Sequence, residues 1–454
     1  MSFIAINPAT EIVLGEYPLH SALEIEAKLA GAADAFHLWR ATSLEERARL
    51  MVSAAELLEG EIPVVAELLT SEMGKSFNAA RGEVAKCAMT MRYFAEHAAQ
   101  FLAPEVIATS ASRSGVRFDP IGPILAIMPW NFPLWQVIRF AAPTLMAGNV
   151  VLVKHAPNVP GAAAFIEELF VRAGFPAGVV TNLFTNVDTV ATIIADPRVA
   201  GVTLTGSERA GRAVAEIAGR HLKKCVLELG GSDPFIVGAH ADMDLTVPMA
   251  VTARVQNNGQ ACIASKRFIV VRARADEFIE RFTAAMAAVP MGDPMDPETV
   301  VGPLVSKPQR DLLAAQVSDS LAAGATAVVG GDAPTGAGYY YPATVLVDVP
   351  AHARAATEEL FGPVAVVHVV EDLAAAIALA NDTPWGLGGS IWSSDPAEID
   401  AAIEGLDVGV VFANAIVVSM PELPFGGTKN SGYGRELSAY GVREFTNIKS
   451  YYVA

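Results

Sequence analysis

The sequence predicts an α/β protein made of two units, each built on a mainly parallel sheet covered on both faces. Three observations carry this. Short apolar runs alternate with longer stretches of helical spacing from residue 121 onward, and the alternation starts a second time near residue 233. A chain of 454 residues exceeds what one hydrophobic core usually holds. Hydrophobic residues make up 52% of it and charged residues 18%, which excludes disorder as its dominant state.

The first hundred residues read as helices. In "SLEERARLMVSAAELLEG", Ser43 precedes Glu46 by three positions, a capping-box signature ahead of apolar residues at helical spacing. Buried strands are then expected at "PILAIM" (123–128), "VVLV" (150–153), "GVVTNLF" (178–184) and "GVTLT" (201–205), with helices over 160–173 and 187–195. The second series comprises "PFIVG" from Pro234, "RFIVV" (267–271), "ATAVVGG" (325–331), "PVAVVHVV" (363–370) and "GGSIWS" (388–393). The tail "EFTNIKSYYVA" (444–454) alternates polar and apolar residues, the pattern of a terminal strand that needs a partner; a second subunit is one candidate. The two units join near residues 230–232.

A net charge of −17 argues against a nucleic-acid or anionic-membrane partner, since both call for a basic face. The richest apolar run, "AAPTLMAGNVVLV" (141–153), contains Pro143 and Asn149 and ends at Lys154, short of the roughly 18 residues of a membrane span. The N-terminus shows no basic and apolar signal regions. Cys87, Cys225 and Cys262 form no C-x-x-C pair, which suits a reducing cytoplasm and excludes a Cys-rich zinc site. The eight histidines show no ligand spacing, so no metal is expected.

Four stretches carry candidate chemistry. "QNNGQACIASKR" (256–267) places Cys262 among polar and small residues, where a ligand can approach the backbone; the alternative is an inert buried thiol. A helix starting at the cysteine would favour its thiolate. In "VLELGGSDP" (226–234), Glu228 sits between Leu227 and Leu229, so desolvation would raise it toward a general base; the alternative is a strand-end carboxylate in water. In "MPWNFPLWQ" (128–136), Pro129 and Pro133 fix the backbone around Asn131, whose amide suits a developing oxyanion or, alternatively, caps the next helix. "TGSERAG" (205–211) follows a strand at a helix start, where a phosphate would sit, without the G-x-G-x-x-G spacing.

In this order, these stretches resemble the NAD(P)-dependent aldehyde dehydrogenase family, as do "EELFGPV" (358–364), "PWGLGGSIW" (384–392) and "PFGGTKNSGYGRE" (424–436). The likeness runs from "INPAT" near the start to the last strand and is strongest toward the bacterial succinate-semialdehyde dehydrogenases. It implies an aldehyde dehydrogenase-like fold: a cofactor domain over 1–103 and 119–230, a catalytic domain over 231–435, and an oligomerisation segment over 104–118 and 436–454. A homodimer or homotetramer in the cytoplasm would follow.

The resemblance also implies roles. Cys262 is the nucleophile, Glu228 the general base and Asn131 the oxyanion amide. Trp130, Leu229 and Phe361 lie beside the cofactor, Gly206 and Ser207 at its pyrophosphate, and Glu359 at the nicotinamide ribose. Lys154 stands near the adenine ribose, with Pro157 where NAD-preferring relatives carry a glutamate. A 2′-phosphate would thus meet Lys154 and His155 unopposed, which favours acceptance of NADP over NAD alone. Trp135, Arg139 and Ser419 line the aldehyde tunnel, with Arg139 holding a distal carboxylate; the alternative for Arg139 is a surface ion pair. Gln256 stands where that branch often has a second arginine, so glutarate semialdehyde or aromatic and aliphatic aldehydes are alternative substrates. A CoA-acylating enzyme has no use for Glu228, and a non-catalytic binding protein has no use for the three catalytic groups together.

Overall fold

In the computed structural model, which describes residues 1–454, two sheets with separate cores carry the chain. The first sheet has six strands in the order Gly432–Tyr433, Lys224–Glu228, Gly201–Thr205, Pro123–Met128, Val150–His155 and Val180–Asn182. All pairs are parallel except the short first one. Its central strands are continuous apolar runs because helices cover both faces and every side chain enters a core. The second sheet has seven strands, with Pro234–Val237 between Arg267–Val271 and Gly388–Trp392. Each apolar run expected from the pattern forms a strand within a residue or two of its predicted limits.

Three features differ from the reading of the sequence. The first hundred residues are not all helical: Ser2–Ile6 and Val13–Pro18 form an antiparallel hairpin before four helices. Ser43 does accept the Glu46 amide at 3.2 Å, but the Glu46 carboxylate turns to Arg49, so the reciprocal bond is missing. The complete capping box belongs to Ser21 and Glu24, on the helix Ala22–Trp39. The strands Thr344–Val347 and Val410–Ala413 were not foreseen; each is only four residues long.

The tail strand Thr446–Val453 pairs antiparallel with Arg113–Pro120, which in turn pairs with Glu105–Val106. Before it, Leu437, Val442 and Phe445 enter the first core, and the Phe445 ring meets Phe140 edge-on at 5.7 Å. No helix is long and apolar enough to cross a membrane.

Candidate active site

The first sheet reverses its strand order at Pro123–Met128: the chain goes next to Val150–His155 on one side and later to Gly201–Thr205 on the other. Ligands of parallel α/β sheets bind at the carboxyl ends of the strands beside such a switch. Met128 runs there into Pro129, Trp130 and Asn131, and Thr205 into Gly206 and Ser207. Ser207 caps the helix Glu208–Arg220 by accepting the Ala210 amide at 3.3 Å. A cavity of about 310 Å³ opens at this edge, and Trp130, Asn131, Gly206, Ser207, Glu228, Leu229, Glu359 and Phe361 all line it. Trp130 and Phe361 meet edge-to-face at 5.6 Å. A second cavity of about 230 Å³ is lined by Trp135, Arg139, Ser419 and Gln256. Cys262 lines both.

The loop that carries Cys262 explains the odd composition of its sequence. No helix starts at the cysteine, so helix-terminal amides do not act on it; it follows a 3₁₀ turn at Gln256–Gly259. Asn257, Asn258 and Gly259 have φ of 53°, 58° and 71°, values open mainly to asparagine and glycine. The asparagine side chains then pin the turn. Asn257 Nδ2 donates to the Asn131 and Gln260 carbonyls at 2.8 and 3.0 Å, and Asn258 Nδ2 to those of Gly74 and Pro303, both at 2.9 Å. Lys266 Nζ holds the far side, donating to the Cys262 carbonyl at 2.7 Å and to Glu359 at 3.1 Å.

A Cβ on Gly259 would stand 2.3 Å from the Gly362 carbonyl carbon, at a positive φ. Gly259→Ala is expected to cost about 3 kcal/mol or more and to lower activity with stability. Denaturant unfolding checks this against Gly31→Ala, a helical position with nothing within 4 Å of the added carbon, which should not destabilise.

Glu228 ends its strand 2% exposed, with neither carboxylate oxygen hydrogen-bonded. Burial holds its carboxyl well above the usual carboxylate range, and the nearby Glu436 carboxylate adds to this. Burial likewise pushes the Cys262 thiol up to about 12, against the pull of Arg139 and Lys266, although the residue itself is open to both cavities. Burial therefore disfavours the charged form of both groups. Asn131 Nδ2 donates to the Gln260 carbonyl at 3.0 Å, which leaves the second of its two N–H donors available. The Cys262 backbone N–H makes no hydrogen bond within the protein.

Lys154 and Pro157 line neither cavity. Lys154 is buried in its strand and forms no ion pair with any carboxylate, while Pro157 is exposed just beyond the strand. His155 does not face a ligand: its Nε2 bonds the Pro133 carbonyl at 2.8 Å and its Nδ1 accepts the Ala156 amide at 2.8 Å. Burial lowers it to about 4, so it adds no charge at neutral pH.

Arg139, expected to hold a distal carboxylate, lines the second cavity and already has a partner. It is ion-paired with Glu436, 1% exposed, and its guanidinium lies 4.8 Å from the Phe425 ring centre. Trp135 Nε1 donates to Ser419 Oγ at 3.1 Å. The wall residue that sequence reasoning missed is Lys86, in "GEVAKC", on the helix Phe77–Phe101. A lysine between Ala85 and Cys87 carries no motif, and only the fold brings it to Ser419 and Trp135. Glu436 was quoted within a motif but given no role.

A model of the aldehyde dehydrogenase family matches residues 1–451. The succinate-semialdehyde dehydrogenase [NADP(+)] 1 of Mycobacterium bovis is 49% identical, covering all of both chains. The succinate-semialdehyde dehydrogenase [NADP(+)] of Mycobacterium leprae is 48% identical over the same extent. Among solved structures, succinic semialdehyde dehydrogenase from Streptococcus pyogenes in complex with NADP+ superposes with a TM-score of 0.97 at 39% identity, over 99% of both chains. An NADP-dependent enzyme of E. coli gives 0.96 at 35% identity, over 99% of this chain and 94% of its own. A match running from residue 1 to residue 451, on a fold that superposes along its whole length, makes this chain a member of the aldehyde dehydrogenase family.

Proposed function

We propose that this enzyme oxidises succinate semialdehyde to succinate with NADP, through a thioester on Cys262. The observation that carries the reading is the second cavity, which ends at the Cys262 thiol and has cationic side chains in its wall. The 48–49% identity to relatives named for this substrate and cofactor supports it.

The residues divide the work as follows. Cys262 Sγ bonds to the aldehyde carbon as the thiol proton passes to water in the crevice, giving a tetrahedral thiohemiacetal oxyanion. The free Asn131 N–H and the Cys262 backbone N–H face the oxyanion, and one such donor is typically worth about 3 kcal/mol. The switch-point crevice fits a dinucleotide: it has a capped helix start at Ser207 and a carboxylate, Glu359, fixed by Lys266 and by the Gly231 amide at 3.2 Å. Bound there, the oxidised nicotinamide supplies the hydride acceptor that turns the thiohemiacetal into a thioester. Glu228, once ionised, takes a proton from the water that cleaves the thioester to the acid.

NADP is the proposed cofactor because position 157 holds no carboxylate to oppose a 2′-phosphate near Lys154. Pro157→Glu is expected to lower kcat/KM for NADP at least tenfold relative to NAD. A strong wild-type preference for NAD would overturn this reading of position 157. The substrate is tested by kcat/KM across succinate semialdehyde, glutarate semialdehyde and uncharged aldehydes with each cofactor. Phe132, Trp135 and Phe425 in the wall favour broader acceptance of aromatic aldehydes as the second reading. We also propose a homodimer or homotetramer: Thr446–Val453 leaves one edge unpaired, with Ile448 and Tyr452 more than half exposed.

A further inference from the structure

Two cationic side chains, Lys86 and Arg139, line the second cavity and Lys75 lies behind its wall, and the three differ in one respect. Lys75, behind the wall, is ion-paired with Glu83, whose other oxygen accepts the Leu134 and Trp135 amides at 2.9 Å each. Arg139 is ion-paired with Glu436. Lys86 has no carboxylate partner: its Nζ donates to Ser419 Oγ at 3.2 Å and lies 4.0 Å from the Trp135 ring centre. Counted as charges, the pocket wall balances to zero apart from that ammonium.

An ammonium taken out of water without a counter-ion is costly, and a hydroxyl with an aromatic face offsets only part of that cost. The arrangement becomes favourable when an anion enters. We propose that Lys86, with Ser419 as its hydrogen-bonding neighbour, receives the distal carboxylate of the aldehyde and thereby sets the preference for ω-carboxy substrates. This rests on the succinate semialdehyde reading above and adds Lys86 to the residues of that pocket, where Arg139 already has a carboxylate partner. Trp135 then has a second task, since it holds Ser419 through Nε1 while its ring carries the ammonium.

The surroundings of Lys86 give the proposal a signature in pH. The groups facing it are Glu83 and Cys87 on its own helix, Arg139 on the helix Trp135–Met146, and the neutral Ser419 and Trp135. Glu83 is committed to Lys75, and Arg139 repels a second cation. Burial, with Arg139 adding to it, lowers the Lys86 ammonium to about 8. The charge that receives the carboxylate is therefore present below that pH and lost above it.

The test compares succinate semialdehyde with butyraldehyde, which has the same chain length and no charge, using the intact enzyme and saturating cofactor. Lys86→Met should lower the ratio of kcat/KM for succinate semialdehyde over butyraldehyde at least tenfold, chiefly through KM. Lys86→Arg, which keeps a cation, should retain most of the ratio. In the wild type, KM for succinate semialdehyde should rise relative to that for butyraldehyde as pH passes about 8, and Lys86→Met should abolish that rise. A wild-type preference for succinate semialdehyde that survives in Lys86→Met overturns this proposal alone. A flat wild-type pH profile of the KM ratio also overturns it, with no variant needed. A wild type with no preference for the charged aldehyde overturns the substrate reading and this proposal together.

Discussion

Glu228→Ala is expected to stop the enzyme halfway through its cycle. Thioester formation needs Cys262, the two oxyanion donors and the hydride acceptor, with water taking the thiol proton; Glu228 is needed for the hydrolysis. One turnover of reduced cofactor should therefore appear in a burst, followed by a steady rate reduced by roughly 10²–10⁴-fold. Intact-mass measurement should find the acyl group on the protein. Cys262→Ala should show neither burst nor adduct. The pH dependence has a definite sign. Burial raises the Glu228 carboxyl above the usual carboxylate range, so hydrolysis by the wild type should slow as pH falls through that raised value. Full steady-state turnover by Glu228→Ala would remove it as the base.

Arg139→Ala should damage the enzyme toward every aldehyde, charged or not. Read from the sequence as the anchor of a distal carboxylate, Arg139 would affect only charged substrates. The structure pairs it with Glu436, 4% exposed, and its charge also moderates the rise of Glu228. Removing it leaves a buried carboxylate without a partner, a change that typically costs about 3–5 kcal/mol. Thermal midpoint and kcat for butyraldehyde should fall together. Arg139→Ala combined with Glu436→Gln should recover part of the stability, since the uncompensated charge is then gone. A loss confined to succinate semialdehyde would return the anchoring role to Arg139.

What the sequence made legible follows from how local each signal is. "PILAIM" and "RFIVV" state their burial on both faces within five or six residues, and the chain forms strands there. The hairpin at Ser2–Ile6 was hidden because it lies half exposed and carries no strong alternation. Cys262, Glu228 and Asn131 were noticed because their neighbours are unusual for a core: glycines, prolines and paired asparagines. Lys86 and the partner of Arg139 were not, because each depends on residues hundreds of positions away, Ser419 and Glu436. Long-range charge pairing leaves no period or spacing in a sequence.

The division between the two cavities fixes a timetable. Glu228 lines the crevice proposed for the dinucleotide and not the aldehyde pocket, while Cys262 opens to both. Water approaching Glu228 and the reduced cofactor thus compete for one room, and the acyl group waits in the other. On the proposed assignment, the reduced nicotinamide end must vacate the space beside Glu228 before a water is activated there. A slow exit would therefore protect the thioester, and the half-life of that intermediate would record how quickly the first room empties.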